Sequence, residues 1–76
     1  MKKFKISLNV KLFDGNDQLL GTFPIKPKVH NQPNPKLDLL NTAEKLLNER
    51  KFVRVEGEKL VNLDFVKTVN FEFKEE

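Results

Sequence analysis

One histidine and a few carboxylates are the side chains in this 76-residue sequence that could do acid–base or metal chemistry. His30 lies in a Pro- and Asn-rich stretch, PKVHNQP, over residues 27–33. A catalytic or metal-binding imidazole needs an orienting carboxylate or further ligands, and no motif around it supplies them. Asp14 and Asp17 flank Gly15 in the manner of a cation loop, but the twelve-residue spacing that ends in a bidentate Glu is missing. A hairpin turn is the expectation there. Glu56 and Glu58 fall across a turn, and Glu75 and Glu76 end the chain. In such solvated places nothing tunes a carboxyl for acid–base work.

The chain has no cysteine and three glycines. It therefore has no thiolate zinc site or disulfide framework, and little material for a phosphate-cradling loop. No GxSxG or HExxH motif occurs. No catalytic, cofactor-binding or metal-ligating residue is assigned, no cofactor is expected, and the expectation is a protein that is not an enzyme.

The basic residues offer a different chemistry. Two of the fourteen, Arg50 and Arg54, are arginines; the rest are lysines. Lysine acts as a point charge suited to phosphate, whereas base edges are read by arginine forks. Lys3, Lys5 and Lys11, with Lys2, fall on one side of an alternating segment, and Lys26 and Lys28 follow in the next. They form a candidate nucleic-acid contact set. Phe13 is the single aromatic at the end of that side, so no base-stacking platform is built. Solvent-facing lysines also keep sheets from pairing edge to edge. Phe13 and Phe65 are the candidate contacts for a protein partner.

These residues must be positioned by regular elements, and hydrophobic residues at 38% of the chain, with a net charge of +3, are enough to fold one. Seventy-six residues allow one domain over 1–76 with one modest core. From residue 3 to residue 12 apolar and polar residues alternate, which predicts a half-buried strand. Asp14-Gly15-Asn16-Asp17 supplies turn chemistry. Residues 18–26 return as a second strand, an edge strand or one ending at Pro24, which cannot donate to a ladder. Residues 24–27 also fit PxxP, and strand termination explains them. A loop over residues 27–33 follows.

Asn34-Pro35 then reads as a helix start, with Asn as N-cap and Pro first in the helix. Leu39, Leu40, Ala43, Leu46 and Leu47 make one apolar stripe over about residues 35–50. Leu37 lies off it and is expected to pack locally. Short strands over 52–56 and 59–63 turn at Gly57-Glu58, Asp64-Phe65 forms a corner, and residues 66–74 alternate again. The expectation is an α+β domain, β-β-α-β-β-β, with one antiparallel-rich sheet in the order 2-1-5-4-3. The helix covers one face and the other is wet.

Within residues 43–69, Phe52, Arg54 and Val55, followed by Val61-Asn62-Leu63-Asp64 and Val66, resemble the middle of LytTR-type bacterial DNA-binding domains. Those domains run from a helix into an F-x-R-V strand and then a V-N-L-D-x-V strand and corner. The likeness spans about a third of the chain and implies the helix–strand–strand order and a nucleic-acid partner. Where the family carries a polar H-R-S between the two strands, this chain has Glu56-Gly57-Glu58.

No apolar run approaches the roughly 20 residues of a membrane span, and the alternation after Met1 does not form a secretory signal. A cytoplasmic protein without a membrane partner is expected. The Lys-, Asn- and Phe-rich composition suggests AT-rich coding, and a phage or mobile-element gene is part of the expectation. The functional expectation is a small protein-interaction module that binds itself or another chain through a sheet edge. The alternative is accessory nucleic-acid binding through the lysine-rich face.

Overall fold

The computed structural model describes residues 4–30 and 34–75. In chain order the elements are β1 (Phe4–Phe13), β2 (Leu19–His30), α1 (Pro35–Glu49), β3 (Phe52–Val55), β4 (Lys59–Asn62) and β5 (Thr68–Glu75). Single turns of 3-10 helix stand at Glu56–Glu58 and Leu63–Phe65. The fold is α+β, in the predicted order of strands and helix.

β1 is the centre of an antiparallel sheet ordered β2-β1-β5. Leu8 stands opposite Ile25 and Phe73, Val10 opposite Phe23 and Phe71, and Leu12 opposite Gly21 and Val69. Directly opposite residues share a face, so the alternation of three strands produces one apolar surface. Ile6, Leu8, Val10 and Leu12 are at most 3% exposed. Burying side chains of this size contributes about 1.5–3 kcal/mol each, which makes β1 the main source of the core.

The turn after β1 is held by Asp14. Its Oδ1 accepts the amides of Asn16 at 2.8 Å and Gln18 at 3.0 Å. The residue that takes positive φ is Asp17, at 60°, rather than Gly15 or Asn16. Aspartate tolerates this region better than most side chains.

β2 runs four residues past the predicted strand end. Lys28, Val29 and His30 of the expected loop instead pair with Ile6, Lys5 and Phe4, and a register shift between Ile6 and Leu8 absorbs one extra residue of β2. An edge strand can hold Pro24 and Pro27 because one side of it needs no ladder donors. His30 thus stands in register with Phe4. Residues 31–33 of the expected loop lie outside the described residues.

Asn34 occupies the predicted cap position but makes no side-chain capping bond; its carbonyl accepts the Asp38 amide at 3.3 Å. Pro35 opens the helix, and the Thr42 hydroxyl donates to the Asp38 carbonyl at 2.9 Å. Leu39 and Ala43 are fully buried against the sheet, and Leu40, Leu46 and Leu47 pack around them. Leu37, expected to pack locally, is 52% exposed. The helix ends at Glu49, leaving Arg50 as its extended C-cap.

The largest departure is the predicted single five-stranded sheet. β3 and β4 pair with each other, Phe52 opposite Asn62 and Val55 opposite Lys59, and form a separate two-stranded sheet. Val53, Val55 and Val61 are buried in the same core as the helix. Four-residue strands with one apolar face bury more by lying over the core near β2 than by lengthening the sheet beside β5. The chain then turns at Leu63–Phe65, where Asn62 Oδ1 accepts the Asp64 amide at 2.9 Å. The Lys67 amide donates to the Phe13 carbonyl at 2.9 Å and starts β5 beside β1.

Among the described residues β5 is therefore an edge strand, with β1 as its ladder neighbour. Cover is uneven. The radius of gyration is 13.4 Å, against about 11 Å for a compact chain of this length. The helix packs on β1 and β2, and the second sheet reaches β2. Val69, Phe71 and Phe73 of β5 stay half-buried.

Candidate functional site

The lysines expected on one face divide. Lys5 and Lys26 are exposed. Lys11 Nζ lies 2.9 Å from Glu72 Oε2, across the β1–β5 ladder, with the Lys11 side chain 37% and the Glu72 side chain 51% exposed. The hydrogen bond from Lys11 and then its charge hold the Glu72 carboxyl below the ordinary value; Lys74 adds to this and slight desolvation opposes it. The outward face of the sheet is thus mixed in sign around Glu72. Lys3, and the side chain of Lys28, lie outside the described residues.

The two aromatics expected to meet a partner lie in different settings. Phe13 is half-buried at the end of β1, opposite Leu19 and Thr68. Phe65 is 67% exposed. With Phe52, Leu60 and Leu20 it lines a shallow, largely apolar groove of about 300 Å³, edged by Lys59 and Asn62. Neither Phe52 nor Leu60 was expected from the sequence as a partner contact. Their signal was the local alternation: Val53, Val55 and Val61 take the buried side of the hairpin and leave Phe52 and Leu60 outside.

The open edge of β5 is the other candidate surface. An edge strand turns alternate N–H and C=O groups away from its neighbour, where they can pair with another chain. Natural proteins blunt such edges by charged side chains, of which β5 carries Lys74, and also by prolines or by a covering element. β2, at the opposite side, has both: Pro24 and Pro27 interrupt its donors, and β3 and the Glu56–Glu58 turn pack beside it. β5 has eight residues and no proline.

A second depression, about 380 Å³, is lined by Ser7, Leu8, Asn9, Pro24, Pro27, Glu56 and Lys74. It is open and holds one carboxylate and one ammonium, a mixed lining with no nucleophile–base pair. Among the described residues no three His, Asp or Glu side chains cluster as a metal site. Asp14, expected in a hairpin turn rather than a cation loop, accepts backbone amides of that turn. No described helix is long and apolar enough to cross a membrane.

Comparison with protein-family models, curated proteins and solved structures finds no match. The local likeness of residues 43–69 to LytTR-type domains is not accompanied by a family match.

Proposed function

We propose that this chain is a non-catalytic protein-interaction module that works by strand addition at the β5 edge. The observation that carries this reading is the asymmetry of the three-stranded sheet. One edge, β2, is interrupted by two prolines and flanked by a second sheet; the other, β5, is regular and unpaired among the described residues. An extended segment docking there would gain main-chain hydrogen bonds along its length, and its alternate side chains would meet Val69, Phe71 and Phe73. The groove at Phe52, Leu60 and Phe65 is a separate candidate surface, with Leu20 of β2 in its lining.

The nucleic-acid alternative has less support, because Lys11 is already paired with Glu72 on the face it would use. The cytoplasmic setting, read from the alternating N-terminal segment and the lack of a long apolar run, and the phage or mobile-element origin belong to the same proposal.

The test uses a synthetic strand as the probe. Amide chemical shifts of the full-length protein are followed while an extended peptide of alternating valine and lysine, unlike β5 in sequence, is added in excess. Shifts that move along β5, with β2 unchanged, support strand addition. Changes confined to the Phe52–Leu60–Phe65 groove, or none at all, would remove the edge from the account.

A further inference from the structure

We infer that the strand taken up by β5 is the β5 of a second copy, paired antiparallel about a two-fold axis passing beside Phe71. This rests on the strand-addition reading and specifies its occupant.

Two-fold pairing of a strand with itself must match i with j and j with i. For the two half-covered apolar faces to fall on one side of the joined sheet, the axis must pass beside a residue rather than between two. Few registers remain. With Phe71 beside the axis, Phe71 meets its counterpart and Val69 meets Phe73 of the other copy. Asn70 meets Glu72, Thr68 meets Lys74, and Lys67 meets Glu75. The half-buried Val69, Phe71 and Phe73 then form one continuous apolar strip across both copies. Each end of the joint is closed by an ion pair between two exposed side chains, Lys67 and Glu75.

The neighbouring registers are worse for definite reasons. Centring on Glu72 puts two carboxylates opposite each other, and like charges directly opposed are destabilising. Centring on Asn70 places Phe73 against Lys67 and shortens the ladder. The sequence of β5 is thus complementary to itself, in charge and in apolar content, in this register, which also keeps the longest ladder. A six-stranded sheet of order β2-β1-β5-β5-β1-β2 results, with the proline-bearing β2 strands as its two outer edges.

The experiment reads molar mass by light scattering across a dilution series of the full-length protein, with charge-reversal variants. The wild type is expected as a dimer that dissociates on dilution. Lys67→Glu sets two carboxylates opposite each other at both ends and is expected to raise the dissociation constant about tenfold. The reversed pair, K67E/E75K, returns it to near the wild-type value. Neither change touches the Lys67 amide bond to Phe13, so the strand itself is preserved. Because the chain has no cysteine, an oxidised mixture of Lys67→Cys and Glu75→Cys proteins should cross-link mainly as the mixed dimer.

A protein that stays monomeric at every concentration would overturn the second copy as occupant. A dimer with no Lys67–Glu75 coupling and no mixed cross-link would overturn this register. In either case the peptide titration still decides strand addition separately: β5 shifts with the peptide would keep that reading while the homodimer falls.

Discussion

A Cβ placed on Gly21 would lie 2.6 Å from Cγ2 of Val55, so these two residues set how closely the small β3–β4 sheet approaches β2. Gly21 is opposite the fully buried Leu12 in the ladder, and Val55, itself buried, packs on it from β3. Glycine is required here by closeness of approach, since its φ is not in the left-handed region.

Gly21→Ala should destabilise the protein. A methyl in this contact forces Val55 or the hairpin to move, at a cost of about 1–3 kcal/mol. The gain from replacing glycine inside a strand is about 0.5–1 kcal/mol, so overpacking wins. Denaturant unfolding would show it, and adding Val55→Ala should lose less than the sum of the two single changes, because the second removes the obstruction. Additive losses would mean that the two sites do not touch.

The helix stripe gives a sharper contrast. Leu39→Ala empties a fully buried site and should lose about 2–5 kcal/mol. Leu37→Ala, two residues earlier and 52% exposed, should stay within about 0.5 kcal/mol of the parent. Equal losses would place Leu37 in the core.

The strands, helix, turns and inward faces were legible in the sequence because each rests on local period. Ile6, Leu8, Val10 and Leu12 declare the core face of β1 by alternation alone, and Asn34-Pro35 marks the helix start. The 2-1-5 order followed from the length and apolarity of β1 and β5. The separate β3–β4 sheet was not legible. Whether a hairpin extends a sheet or lies over it depends on what remains uncovered once the helix has packed, and that is a property of the assembled core. Likewise β2 continuing through Pro27 depends on a bulge opposite Ser7 that no local pattern announces. The candidate site was read in part. Phe65 was found as an apolar residue at a corner, but its neighbours Phe52 and Leu60, and the open β5 edge, appear only once the sheets are separate.

Lys11 and Glu72 predict a pH effect of definite sign. The Glu72 carboxyl is held below its ordinary value in the folded protein by Lys11, so its contribution to stability is present above the unfolded-state value. It is lost as pH falls through the lower folded value. Carboxyl NMR should show Glu72 titrating below the ordinary Glu range, and Lys11→Met should move it upward. No movement would mean the ion pair is not formed in solution.

Phe65 should be dispensable for folding. At 67% exposure, Phe65→Ser is expected to change unfolding free energy by less than about 0.5 kcal/mol while reducing binding of a hydrophobic dye. A marked loss of stability would show that Phe65 packs into the core.

The most direct test of the central claim is amide hydrogen exchange along β5, measured residue by residue in dilute and in concentrated protein. The account predicts that alternate β5 amides, those turned away from β1, exchange fast when dilute. They should slow by at least about tenfold when concentrated, with β2 unchanged. The contrary result, an outer row of β5 amides that exchanges at the same rate at both concentrations, would contradict pairing of β5 with a second copy.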